Sequence, residues 1–197
     1  MNEEKYIKMI TEASNHFAIT EGALKGGHVI ESQKTIAQLK NIFLDEKARS
    51  EMDQNKIVYR VQAFLPVEQG TEGGLYFGTT WIEPGAVNEE YFMTQGHFHK
   101  LSNRSEYYWG IKGEGVLILM DRDRNTRAEF IYPGSLHYIP AHTAHRVANT
   151  GDSQLVFSAC WPSDAGYDYD EIIKNGFSSR LLNKNGKPQL LNIEALI

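Results

Sequence analysis

Two stretches near the start of the chain carry apolar residues at helical spacing. Glu3 to Phe17 places Tyr6, Ile7, Ile10, Ala13 and Phe17 in step, and Thr35 to Glu51 puts Ile36, Leu39, Ile42 and Phe43 on one face. Both are expected helices, separated by a turn-like Gly22 to Gly27 in which Gly26-Gly27 marks a break. From about Lys56 the pattern changes to short β-branched and aromatic runs, broken by Gly, Pro, Asn and Asp about every ten residues. That rhythm signals antiparallel β structure. The expected strands are Ile57 to Leu65, Leu75 to Ile82, Tyr91 to His99, Glu106 to Lys112, Gly115 to Asp121, Ala128 to Tyr132, Leu136 to Ile139, Ala144 to Asn149 and Gln154 to Trp161. Their number favours a sandwich or a barrel. Beyond Pro162 the pattern is less regular, with a short helix expected over Asp170 to Lys174 and strands over Phe177 to Leu182 and Gln189 to Ile193.

A chain of 197 residues can bury one good core, so a single domain over 1–197 is expected. Its parts are a mostly helical segment over 1–55, a β-barrel over 56–162 and a C-terminal extension over 163–197. With 41% hydrophobic and 23% charged residues, the composition suggests neither wholesale disorder nor a membrane protein. A net charge of -5 argues against nucleic acid as a partner, because phosphate-backbone binding rests on clustered Lys and Arg. The single cysteine, Cys160, lies in the apolar run Leu155 to Trp161, which excludes an intrachain disulfide and fits a reducing compartment. No apolar stretch of signal-peptide or membrane-span length is present, so a cytoplasmic protein without a membrane partner is expected.

Candidate chemistry is concentrated in the histidines. Four of the seven fall within Gly96-His97-Phe98-His99 and His142-Thr143-Ala144-His145. On a strand, residues two apart share a face, so His97 and His99 can both point inward while Phe98 packs behind them. Glu106 follows the polar loop Lys100 to Ser105, long enough to reverse the chain and bring a carboxylate opposite the pair. By the same period Tyr108 shares the inward face of Glu106. His16, His28 and His137 read as ordinary hydrogen-bonded or surface residues.

These positions resemble the two motifs of the cupin family. The first asks for His-x-His, a Glu, and a Gly seven residues later, which His97, His99, Glu106 and Gly113 provide, with a longer gap than usual before the Glu. The second asks for Gly, five residues, Pro, then His and Asn four apart, which Gly134, Pro140, His145 and Asn149 provide. His142 replaces a customary Gly and is the rival to His145 as ligand, but only His145 has the matching Asn. Tyr91 stands where the first motif usually begins with Gly. The resemblance implies a mainly β chain, a cupin-type double-stranded β-helix (jelly-roll barrel) with N-terminal helices. It also implies a site for one divalent metal ion on His97, His99, Glu106 and His145. Three imidazoles and a carboxylate suit Fe2+, Ni2+, Mn2+, Co2+ and Zn2+ without ranking them, and Fe2+ is the ion the resemblance favours. Six-coordinate geometry would leave two neighbouring positions open for a substrate.

A narrower resemblance rests on Thr94-Gln95-Gly96-His97-Phe98-His99, the six-residue gap to Glu106, and the following Tyr107-Tyr108. Together with Ala144-His145-Arg146 and Pro162-Ser163-Asp164-Ala165-Gly166-Tyr167-Asp168-Tyr169, these are similar to the cupin-type glucose-6-phosphate isomerases. The similarity is clearest over Gly78 to Phe177. It implies interconversion of glucose 6-phosphate and fructose 6-phosphate, with Glu106 and Tyr108 catalytic, Thr80, Thr94, Gly96 and Tyr169 holding the substrate, and a homodimer. Glu106 as proton shuttle and a metal-assisted hydride shift both satisfy this chemistry. Trp161 stands where that family has tyrosine. Two other readings compete: a different metal cupin enzyme such as an oxygenase, against which the threonine and tyrosine matches count, and a non-catalytic sugar-phosphate-binding cupin.

Overall fold

The computed structural model describes residues 12–193. In chain order its strands are β1 (Asn15–Phe17), β2 (Leu24–Gly26), β3 (Val29–Thr35), β4 (Ile57–Phe64), β5 (Leu75–Ile82), β6 (Ala86–Val87), β7 (Glu90–Tyr91), β8 (Glu106–Lys112), β9 (Gly115–Met120), β10 (Thr126–Ile131), β11 (Leu136–Ile139), β12 (Ala144–Asn149), β13 (Leu155–Pro162), β14 (Ser179–Lys184) and β15 (Lys187–Asn192). Helices α1 (Glu46–Glu51) and α2 (Asp170–Asn175) are each six residues long. Every pairing between these strands is antiparallel. One sheet runs β11-β8-β13-β5-β4-β3, and β10-β9-β12 and β15-β14-β7-β6 form two others. Among the described residues the chain is mainly β with antiparallel sheets, as its strand pattern indicates.

The N-terminal helices are corrected. Residues 3–11 of the first lie outside the described residues, and its end, Asn15–Phe17, is a strand paired with Leu24–Gly26. The second breaks into a 3-10 turn at Ala37–Leu39 and α1, with Asn41 in the left-handed conformation between them (φ 64°). A helix cannot continue through such a residue. The apolar set that suggested it is nevertheless core: Ile36, Leu39, Ile42 and Phe43 are all buried. Helical spacing recorded a buried face on a chain that turns sharply. The sheet also begins earlier than 56, because β3 pairs with β4 along its length.

The run Val116-Leu117-Ile118-Leu119-Met120 is buried at every position, as is β12 beside it. A strand at the centre of a covered sheet shows a continuous apolar run instead of alternation. The C-terminal extension supplies part of the cover: Phe177 and Leu181 join the same core cluster, and the Ser178 amide donates to Met120 Sδ at 3.3 Å. Along β8, in contrast, Glu106, Tyr108 and Gly110 are buried while Tyr107 is exposed. That alternation aims the catalytic candidates at the barrel interior.

The motif residues outside the ligand set are structural. Gly113 (φ 77°) turns the β8–β9 hairpin, and Gly134 (φ 87°) turns the chain between β10 and β11. Asn149 donates from Nδ2 to the carbonyls of Ile82 and Ser153, both at 2.9 Å, and accepts from the Gly151 amide at 3.0 Å. It staples three segments and faces no ligand. At the β6–β7 turn Asn88 carries the positive φ (53°), so Tyr91 sits in a strand and needs no glycine freedom.

Candidate metal centre

His97, His99, Glu106 and His145 converge, with one ligand atom from each lying within 4.8 Å of the others. The expected strand from Tyr91 to His99 does not carry the histidine pair. The strand ends at Tyr91, and Gly96 is left-handed (φ 77°), so His97 and His99 are placed by isolated bridges instead. His97 and His145 exchange backbone hydrogen bonds at 3.3 and 3.1 Å, which sets their rings 4.5 Å apart. Gly96 is required there: a Cβ would meet Phe177 at 2.9 Å and the Arg146 side chain at 3.0 Å, in a backbone conformation that L side chains rarely adopt.

The donors are poised for a cation. His99 gives Nδ1 to the Arg104 carbonyl at 2.9 Å, and His145 gives Nδ1 to the Thr143 carbonyl at 3.3 Å, which turns each Nε2 toward the cluster. Glu106 Oε1 lies 2.5 Å from His145 Nε2 and 3.5 Å from His99 Nε2. Among the described residues, His97 Nε2, Glu106 Oε1 and His145 Nε2 are buried polar atoms without a hydrogen-bond partner. Three such atoms facing one point fit a metal ion, because buried polar groups are otherwise satisfied. Burial, with His145 beside it, holds the His97 pKa well below its usual value, so the ring is neutral and its lone pair available. Burial works against ionisation of Glu106, but His145 and His99 outweigh it and keep the carboxylate charged. Burial also opposes the charged form of His99, and the Glu106 carboxylate reverses this to a raised pKa.

His142, the rival ligand, is exposed, left-handed (φ 62°), and held through its amide to the Ser102 carbonyl at 2.6 Å. It occupies a glycine-type turn, which explains why a Gly is customary there, and it does not join the cluster. His137 is satisfied by Glu129 and Ser135, and His16 and His28 are exposed.

Beside the cluster lies a cavity of about 430 Å³, enough for a small ligand, lined in part by Thr80, Thr94, Gly96, Tyr108, Tyr169 and Trp161. All the expected substrate residues therefore meet at one opening. Thr94 Oγ1 accepts from the Val147 amide at 3.1 Å, leaving its own proton free to donate. Tyr108 is buried, and burial together with the Glu106 charge pushes its pKa well up, so its hydroxyl stays a donor. Tyr167 and Tyr169 stack with centroids 5.6 Å apart beside His97. Trp161 sits on Gly78, where a Cβ would meet the indole at 2.9 Å. Sequence reasoning missed Ser32, Lys34 and Tyr59, which also line the cavity. For Ser32 and Lys34 the signal was the alternation Ile30, Ser32, Lys34 in a segment left without an element, whereas Tyr59 lies in the expected strand Ile57 to Leu65.

The loop between His99 and Glu106 is clamped from outside. Arg104 Nε and Nη2 bind Asp164 Oδ1 and Oδ2 at 2.9 and 2.7 Å, and the Arg104 carbonyl is the one that orients His99. Asp164→Asn removes this bidentate pair, and metal affinity is expected to fall about tenfold, the low end for a residue that orients a ligand. Competition against a chromophoric chelator measures it; unchanged affinity would show that the neighbouring backbone bonds alone hold the loop.

A family model described as glucose-6-phosphate isomerase matches residues 33–194. The chain is 39% identical over 158 residues to the glucose-6-phosphate isomerase of Thermococcus litoralis, covering 79% of this chain and 82% of that one. It is 36% identical over 176 residues to that of Pyrococcus furiosus, covering 88% and 89%. To that of Sinorhizobium medicae it is 41% identical over 147 residues, covering 73% and 68%. Among solved structures, oxalate decarboxylase from Bacillus subtilis is similar with a TM-score of 0.43 and 24% identity, over 55% of this chain and 26% of that chain. The chain thus spans about a quarter of that structure's length.

Proposed function

The chain belongs to the cupin-type glucose-6-phosphate isomerase family, and on that premise we propose that it interconverts glucose 6-phosphate and fructose 6-phosphate at the His97, His99, Glu106 and His145 cluster. One observation carries this reading: the four converging donors open onto a cavity lined by Thr80, Thr94, Gly96, Tyr108 and Tyr169. A divalent ion there, Fe2+ by our reading, would supply Lewis-acid stabilisation of the charge that develops on O1 and O2 of the opened sugar.

The side chains then divide the remaining tasks. Thr80, Thr94 and the Gly96 amide offer donors to the phosphate. Tyr108, held protonated by burial, donates toward Glu106 or a sugar oxygen. Tyr167 and Tyr169 screen the site from water with their stacked rings. Solvent deuterium in the product would show a proton transfer, for which Glu106 is the carboxylate in place, and its absence would count against that route in favour of a direct shift.

The protein as purified should form glucose 6-phosphate from fructose 6-phosphate in an assay coupled to glucose-6-phosphate dehydrogenase. Absence of product across the divalent metals of this ligand set would sink the isomerase reading. We further propose a cytoplasmic homodimer serving glycolysis and gluconeogenesis. No helix among the described residues is long and apolar enough to cross a membrane. Tyr107, Leu136 and Tyr138 form an exposed apolar patch on one outer face of the sheet, which supports self-association. Sedimentation equilibrium should give twice the chain mass; a monomer would remove the dimer.

A further inference from the structure

The cavity holds one Lys or Arg, Lys34, and one carboxylate, Glu106. Strand β3 alternates Glu31 and Gln33 with Ile30, Ser32 and Lys34, and only the second set lines the cavity. Register places Ser32 opposite Val61 and Val61 opposite Thr80, a row across three strands on the cavity face. The next position pairs Lys34 with Tyr59, whose hydroxyl lies 3.5 Å from the Gln95 amide, between Thr94 and Gly96. Lys34, half-buried, therefore lines the cavity on the strand next to Tyr59, with the exposed Ser32 two residues before it on the same face. Among the described residues the Lys34 side chain has no hydrogen-bond or ion-pair partner. Glu106 lies on β8, four strands away in the sheet order, and is engaged by His145 and His99. A phosphate dianion has a matching charge at one end of the cavity and a repelling one at the other.

Resting on the isomerase reading, we propose that Lys34, with the Ser32 hydroxyl in the same row of donors, recognises the phosphate and sets the preference for phosphorylated over unphosphorylated sugars. The chain is net negative at -5 and Lys34 is the one Lys or Arg lining the cavity, so this ammonium has to supply the counter-charge that hydroxyls cannot. Lys34 also lies on an edge strand, where an inward lysine can serve only to block edge-to-edge pairing. That role would leave substrate binding untouched.

The test uses Lys34→Met and Lys34→Arg in the metal-loaded enzyme, with fructose 6-phosphate as substrate and inorganic phosphate as competing ligand. For Lys34→Met the KM is expected to rise about 10- to 100-fold with kcat within about threefold, as for loss of one charge-assisted hydrogen bond. The inhibition constant of inorganic phosphate should rise in parallel, and Lys34→Arg should recover most of both. An unchanged KM and phosphate constant, or a fall in kcat alone, would overturn the proposal. Calorimetry of inorganic phosphate separates the two readings. If the wild-type chain turns over no sugar phosphate but its phosphate binding is lost in Lys34→Met, only the isomerase reading fails.

Discussion

Replacing His145 with alanine is expected to empty the metal centre while the chain stays folded. His145 contributes Nε2 within 2.5 Å of Glu106 Oε1, and its backbone, which holds His97 through two hydrogen bonds, is unchanged by the substitution. Three donors remain, but the strongest neighbour of the buried carboxylate is gone. Metal affinity should fall by more than the 10- to 100-fold typical of losing only an orienting residue, and turnover of fructose 6-phosphate by about 10²- to 10³-fold or more. Metal content after dialysis and kcat with added metal measure the two effects. His142→Gly is the matched control: it relieves a left-handed residue, removes a histidine three positions away, and should retain metal and turnover. If His142→Gly loses the metal and His145→Ala keeps it, the ligand assignment is wrong.

Glu90→Ala is expected to cost more stability than any surface change. Glu90, Arg146 and Arg180 are all buried. Arg180 Nη1 donates to Glu90 Oε1 at 3.2 Å and to the Ile42 carbonyl at 2.6 Å, and Glu90 Oε2 accepts from the Leu44 amide at 2.6 Å. Arg146 donates to the Gln95 carbonyl at 2.7 Å, with its guanidinium 4.1 Å from the Phe177 ring centroid. Burial and the neighbouring Arg180 press the Arg146 pKa down to about 9, and Glu90 opposes them. Two buried cations thus share one carboxylate. Its removal leaves them uncompensated, a loss of about 3–5 kcal/mol. For a chain of this size that is a fall in Tm of roughly 6–20 °C. Thermal and urea unfolding of the apo protein would measure it, and a loss below about 1 kcal/mol would show that the backbone carbonyls carry the guanidiniums unaided.

The four ligands were legible because their chemistry demands particular residue types at particular gaps, which survive whatever backbone path brings them together. His97 and His99 illustrate the point. Their two-residue spacing predicts a strand, yet the chain there is kinked at Gly96 and the pair is placed by isolated bridges from His97 to His145 and from Phe98 to Asp168. Several strands were legible for a simpler reason, since period-two burial and turn residues fix both face and ends, as in β8 and β11. The N-terminal segment was not. Ile36, Leu39, Ile42 and Phe43 carry helical spacing because they are buried, and nothing local announces that Asn41 turns left-handed between them. The same blind spot hid Lys34, whose place in the cavity depends on β3 joining the sheet.

Isomerisation is expected to depend on a metal held by the His97, His99, Glu106 and His145 cluster. Titrating a divalent metal into the chelator-stripped chain, with bound metal and fructose 6-phosphate turnover followed together, tests it most directly. The expected result is that both rise in step and saturate at one equivalent per chain, and that neither rises in His145→Ala. Full turnover in the stripped chain, or metal bound in step by His145→Ala, would contradict it.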